Sequence, residues 1–322
     1  RGGRRLRPVH LRPTALTSDA AGSTVDVSVV VPLFGSHRGR QVLPAVAAAW
    51  LAQDVACEIL VATAGAIPLA LPAGPTEGVV SVIAAGASAT TPGILRNLAA
   101  SRARGRRLYL TDADVLPLGR GFLRRAIALA GPDALCQPYL YRLLGPLPLP
   151  GAVLRPPSTP GCFVLARPDG RLEPAVGERF RTRHPGGPLA DDEVLAVLPP
   201  PDQLRSGLPE RRQWLATFHW GGVLLERWLF AEVGGYCPRY SGWGSEDDDL
   251  LVKLAGRGPV VRAWKADPAL ACLHVEHERP DLDAAQAVAN RSLFAARQAS
   301  GAEAMAREDR AAWAAGQDPP AG

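Results

Sequence analysis

The sequence predicts an α/β fold, a mostly parallel sheet with helices packed on its faces. Three observations carry that prediction. Short apolar, β-branched runs recur through the first third of the chain, helical stretches lie between them, and no internal repeat competes with this alternation. The first run, Val25-Asp26-Val27-Ser28-Val29-Val30-Val31, is expected to be a strand buried on both faces and stopped by Pro32. A helix is expected from Arg40 to Leu51, then strands over Glu58–Val61 and Val79–Ile83. Thr91 to Ala103 reads as a second helix with Pro92 in its first turn. Arg107–Leu110 reads as a fourth strand, ending in Thr111-Asp112-Ala113-Asp114.

Beyond this point the pattern loosens. From Gly145 to Pro209 the chain is rich in Pro, Gly and Arg and reads as a long irregular stretch, usually a functional loop or a disordered one. Order returns with a strand at Gly222–Leu225 and a short helix to Val233. A Gly234-Gly235 turn follows, then an acidic segment opening a helix. Short strands are expected near Val260 and Leu270, a helix from Asp283 to Gln298, and a polar, Ala-rich tail over the last residues.

Composition narrows the partners. The net charge of +5 is matched by Arg1, Arg4, Arg5, Arg7 and Arg12, so the remaining chain is close to neutral. That arm reads as a solvated tail suited at most to weak contact with an anionic membrane surface. The body lacks a basic stripe with interleaved aromatics, so nucleic acid is not an expected partner. The 5 cysteines are scattered with no CxxC pair, which suggests neither a zinc knuckle nor a disulfide framework. No apolar run approaches the ~18 residues of a membrane span, and no signal-peptide core follows the basic start. A cytoplasmic location is the resulting expectation.

Three constellations carry chemistry. Asp112 and Asp114 follow a buried strand, where open α/β sheets place ligands, and suit a divalent cation bridging a diphosphate. The plain alternative is a pair of turn-forming aspartates. The second constellation is Gly242-Trp243-Gly244-Ser245-Glu246-Asp247-Asp248-Asp249. Ser245 is expected to cap a helix whose dipole stabilises the acids in its first turn. Four adjacent carboxylates exceed what capping needs, and their repulsion is expected to raise some pKa values toward those of a general base. The indole of Trp243, between glycines, suits either a sugar platform or the core. The third is His274 and His277, flanked by acids, which read as a metal-ligand pair or as structural histidines.

Taken together these residues resemble an inverting GT-A glycosyltransferase (a Rossmann-like fold) of the family 2 type. Pro32, Arg96-Asn97 and Leu110–Asp114 are similar to its nucleotide-binding half. His219–Val223, Gly234-Gly235-Tyr236 and the run Gly242–Leu250 resemble the C-terminal motif of β-1,4-galactosyltransferases and bacterial chondroitin polymerases. The resemblance covers roughly 25–280. It implies a single catalytic domain at 24–300, after a flexible arm at 1–23 and before a tail at 301–322. Within that domain, 24–118 would hold the nucleotide, 119–216 would form variable acceptor loops, and 217–300 would hold sugar, acceptor and metal.

The resemblance also implies roles. Asp114, His277 and His274 would bind Mn2+ or Mg2+. Pro32, Arg96, Asn97, Asp112, Gly221, Gly222 and Glu246 would bind the UDP-sugar donor. Trp243 and Asp248 would hold a hydroxyl acceptor, a glycan or small natural product, and Asp247 would be the base. The usual base-binding acid after the second strand is absent from Val61-Ala62-Thr63-Ala64-Gly65, so uracil recognition would fall to Thr63 and backbone groups. Two other readings remain: a degenerate, non-catalytic nucleotide-sugar binder, and a sugar-phosphate nucleotidyltransferase, for which Leu33–Gly39 is a poor phosphate loop.

Overall fold

The structure, a computed structural model, describes residues 25–34, 39–65, 80–85, 91–132, 134–143, 147, 154, 163–167, 171–174, 183–184, 187–188, 222–262, 267, 269–275 and 283–314. The arm at 1–23, Gly221, His277 and much of 145–209 lie outside them.

The first half alternates as the sequence predicts: β1 (Val27–Leu33), α1 (Gly39–Leu51), β2 (Cys57–Ala64), β3 (Val80–Ala85), α2 (Pro92–Ala100) and β4 (Arg107–Leu110). β1 pairs in parallel with both β2 and β4, and β2 with β3. Pro32 does not stop β1 as expected, because its position spares the ladder. The carbonyls of Asp26 and Val30 accept from Arg107 and Thr111 on the β4 side. Pro32, in phase with them, faces that side beyond the end of β4, where no bond is lost. Thr91 caps α2 by accepting from the Ile94 N–H at 3.1 Å.

Next come β5 (Val115–Pro117), α3 (Phe122–Ala130), β6 (Leu135–Gln137), β7 (Tyr139–Leu143), β8 (Phe163–Ala166) and β9 (Leu172–Pro174). A two-residue pairing joins β10 (Arg183–His184) to β11 (Gly187–Pro188). The expectation that 119–216 consists of loops is therefore corrected: α3 buries Phe122, Leu123, Ala126 and Ala130, a helical spacing. The last elements are β12 (Val223–Glu226), α4 (Arg227–Glu232), α5 (Glu246–Ala255), β13 (Val260–Arg262), β14 (Ala271–Val275), α6 (Ala284–Ser300) and α7 (Ala302–Ala314).

Seven strands form one sheet in the order β13-β6-β12-β4-β1-β2-β3, mixed because β12 runs antiparallel to β4 and β6. A second sheet, β5-β14-β7-β8-β9, was not anticipated. The large sheet is apolar on both faces. Val27, Val29, Val31 and Leu33 pack with α1, α3 and the second sheet. Val30, Leu60 and Ala62 pack with α2, α4, α5 and α7. No helix among the described residues is long and apolar enough to cross a membrane.

The expected tail at 301–322 is also corrected, because 302–314 is α7, with Met305, Ala306 and Asp309 buried. A buried ion cluster fixes it in place. Lys253 of α5 contacts Asp309, and its Nζ donates to the Gly235 carbonyl at 2.5 Å. Arg297 of α6 donates to Asp249 at 2.6 Å and to Asp309 at 2.7 Å. All four side chains are at most 3% exposed, so removing one partner strands a charge in the core. Arg297→Met is expected to cost about 3–5 kcal/mol, read as a lower urea midpoint with an unchanged slope. A loss within ~0.5 kcal/mol, the range of an ordinary surface substitution, would show that the cluster does not hold α7.

Candidate active site

The carboxyl end of β4 is the centre of the site. The strand is followed by Thr111, Asp112, Ala113 and Asp114, and the chain returns alongside it as β12. Gly222, just before β12, has φ +120, and a Cβ there would lie 2.6 Å from the Leu110 carbonyl oxygen. Only glycine allows β12 to approach β4 this closely.

Arg96 reaches the same point from α2. It is 1% exposed and contacts Asp112 through Nη2, Asp247 Oδ1 through Nη1 at 3.2 Å, and the Thr111 carbonyl through Nε at 3.4 Å. Its guanidinium lies 5.2 Å from the centre of the Tyr236 ring. Burial works against its charge. Tyr236, Asp247, Asp112 and Glu246 more than offset that, so its pKa sits above the ordinary arginine value. Arg96 thus joins the Asp112 end of β4 to the first turn of α5.

That turn sorts the acidic run. Ser245 occupies the cap position at φ 68 but makes no side-chain cap bond, contrary to expectation. The turn is closed instead by Glu246, whose Oε2 accepts from the Gly244 N–H at 2.8 Å. Glu246 is 3% exposed and Asp249 is fully buried in the ion cluster. Asp248 is exposed, and the Asp247 side chain keeps 25% exposure. Oδ1 of Asp247 also accepts from the Tyr236 hydroxyl at 2.9 Å. Burial is the first cause that raises the pKa of Glu246, followed by the Asp247 charge. Burial also leads for Asp247, where Arg96 and the Tyr236 hydrogen bond oppose the rise. Asp248 is raised as well, by partial desolvation of its carboxyl and then by the Asp249 charge. The direction matches the sequence reading, but desolvation leads and repulsion is secondary.

The half-buried Trp243 packs edge-on against Phe34, with ring centres 5.7 Å apart and planes at 77°. Asn290 of α6 holds its loop by donating to the Ser241 and Trp243 carbonyls at 2.8 and 3.1 Å.

On the other side of β4, Asp114 and His274 are each 1% exposed, with His274 Nε2 3.4 Å from Asp114 Oδ2. Pairing of β14 with β5 sets His274 against Val115, and the Val275 N–H donates to the Asp114 carbonyl at 2.9 Å. A carboxylate oxygen and an imidazole nitrogen at this distance fit a shared divalent cation such as Mn2+ or Mg2+. Among the described residues no group of three or more such ligands forms, and His277 lies outside them.

Some expected donor-binding residues are otherwise engaged. Asn97 brackets the backbone of Tyr236, donating to its carbonyl and accepting from its N–H, both at 2.8 Å. Pro32 is buried within β1. Thr63 is fully buried and its hydroxyl donates to the Gly65 carbonyl at 2.6 Å, so it is spent before any nucleobase could use it. Tyr236 was missed as a site residue, although its place after Gly234-Gly235 hints at a constrained backbone.

Residues 208–278 match a family model described as the N-terminal domain of galactosyltransferase. Two solved structures of S. aureus TarS resemble the chain. The fragment 1–349 has 12% identity and a TM-score of 0.45, with 90% of this chain and 70% of that chain covered. The longer structure has 13% identity and a TM-score of 0.45, with 90% and 43% covered. The chain therefore spans less than half of that longer relative. A comparison with curated proteins returns no match. The matched segment holds Gly222, Trp243, the acidic run and His274.

The raised pKa of Glu246 has a consequence for stability. A carboxyl whose folded pKa exceeds its unfolded value contributes stability below the unfolded pKa and loses it as pH rises through the folded one. Glu246→Gln removes that loss while keeping an acceptor for Gly244. The variant is expected to melt higher than the parent near pH ~8.5, with the difference shrinking toward pH ~5. A difference that grows on acidification would refute the assignment.

Proposed function

We propose that the chain is a metal-dependent inverting glycosyltransferase. It would move a hexose or N-acetylhexosamine of the Gal, GalNAc or GlcNAc type from a UDP-sugar to a hydroxyl acceptor, a glycan or small natural product. The observation that carries this reading is the single cluster joining Asp112, Arg96 and Asp247, with Asp247 the partly exposed carboxylate of the matched segment.

In this reading Asp247 takes the acceptor hydroxyl's proton as the acceptor oxygen attacks the anomeric carbon. The bond from that carbon to the diphosphate breaks, its electron pair leaves with the diphosphate, and a single displacement inverts the configuration. Glu246 is too buried to collect a proton from solvent-facing substrate, and Asp249 is committed to Arg297 and Lys253. Asp248, exposed in the same segment as Trp243, would accept from acceptor hydroxyls while the indole meets the sugar's C–H face. Asp114 and His274, with His277, would hold the cation, and when bound it neutralises the diphosphate leaving group. Asp112 lies next to that pair with its charge balanced by Arg96.

Two measurements test the reading. UDP with Mn2+ is expected to raise the melting temperature, by the equivalent of about 2.7 kcal/mol at a hundredfold excess over Kd. If no nucleoside diphosphate stabilises the chain, the transferase reading fails. Asp247→Asn is expected to lose transfer and UDP-sugar hydrolysis while Mn2+–UDP binding persists, since Asn keeps an acceptor for Arg96 and Tyr236. Near-normal turnover would show that another group is the base.

A further inference from the structure

We propose that Tyr236 is a positioning residue for the base: by donating to Oδ1 of Asp247 alongside Arg96, it leaves Oδ2 as the oxygen that receives the acceptor's proton. The inference rests on Asp247 being the base.

The geometry of Tyr236 is strongly determined. It is 1% exposed, and Asn97 grips both its N–H and its carbonyl at 2.8 Å. The preceding Gly235 is at φ +62, where a Cβ would lie 2.5 Å from Asn97 Oδ1. A Cβ on Gly93 would meet the Tyr236 ring at 2.9 Å, so α2 packs directly on that ring. The ring is therefore fixed by both neighbouring segments, and its hydroxyl donates to Asp247 Oδ1 at 2.9 Å.

A carboxylate has two oxygens, and which one is basic depends on what the other accepts. Oδ1 of Asp247 takes two donors, Arg96 Nη1 at 3.2 Å and the Tyr236 hydroxyl. Among the described residues no donor reaches Oδ2. Two donors converging on one oxygen draw charge toward it and set the carboxylate plane. The proton that leaves the acceptor oxygen then has a single defined destination, Oδ2. The other acidic groups around this carboxylate are Asp112, Glu246 and Asp248; Glu246 Oε2 is engaged by the Gly244 N–H, and among the described residues none of the three bonds to Oδ2.

Tyr236→Phe isolates the hydroxyl, because it keeps the ring under Arg96 and the packing against Gly93. The hydroxyl's bond holds the Asp247 pKa down, so its loss moves that pKa up. In a 13C carboxyl NMR titration, with the Asp247 signal assigned by its absence in Asp247→Asn, the midpoint is expected to rise by about 0.5–1 unit. In UDP release from UDP-sugars with Mn2+, kcat is expected to fall at least ~10-fold with KM for the donor within about twofold, and the acid limb of the kcat profile to move the same way. An unmoved midpoint in a variant with parental melting temperature overturns the proposal, as does a kcat within twofold of the parent. If Asp247→Asn itself retains UDP release, the base assignment fails instead, whatever the titration shows.

Discussion

The site depends on one buried guanidinium. Arg96 is set by α2 beneath the end of β4, and it lies between two carboxylates that come from distant parts of the chain, Asp112 and Asp247. Without it, two acids would face each other across a desolvated gap, and their repulsion would push α5 away from β4. With it, the end of the parallel half-sheet and the start of α5 become one rigid unit. The Tyr236 ring beneath the guanidinium and the Thr111 carbonyl at Nε fix its remaining freedom. An arginine suits this position better than a lysine, because its planar fork can meet two acids and a carbonyl at once.

A second ionic group works from behind. Asp249 belongs to the same acidic run as Asp247, yet it points into the core, where Arg297, Lys253 and the Tyr240 hydroxyl surround it. Helical geometry makes this division unavoidable: successive residues differ by about 100°, so four adjacent acids cannot share one environment. Asp249 anchors α5 to α6 and α7, Glu246 closes the loop at Gly244, Asp247 meets Arg96, and Asp248 remains exposed. The loop leading into α5 turns through Gly242 at φ +64 and Gly244 at φ +111, where glycine is unstrained, and bears strain at the non-glycine Ser245, φ 68. Strain of this kind persists only where the surroundings over-determine the backbone, and it concentrates at functional sites.

These contacts explain what could be read in the sequence. The strands β1, β2 and β4 were legible because their residues are mostly buried on both faces, which gives continuous apolar runs. The second sheet was not legible: β5 and β9 have three residues each, too short for any periodicity to register. α3 left an apolar spacing at Phe122, Ala126 and Ala130, but the surrounding glycines and prolines obscured it. α7 was hidden by its alanines, which look like a tail unless its buried Asp309 is known to meet Lys253 and Arg297. Motif spacing singled out Asp112 and Asp247, which meet at Arg96, and Asp114 and His274, which lie side by side. It could not reveal that Asn97 and Thr63 spend their polar atoms on nearby backbone, since that depends on turns no pattern encodes.

The same distinction applies to the acids. Sequence alone suggests that adjacent carboxylates raise one another's pKa, and the structure shows that burial leads, with charge second. The difference matters for the proposed role of Asp247 as a base. Repulsion between exposed carboxylates is screened by salt and relieved by rotation of either side chain. Desolvation enforced by a packed wall is not relieved while the fold is intact. Arg96 and Tyr236 then restrain the rise at Asp247 by acting on one of its oxygens. A carboxylate held between these opposing influences is more basic than one in water and still able to ionise, which is the compromise a proton acceptor working near neutrality requires.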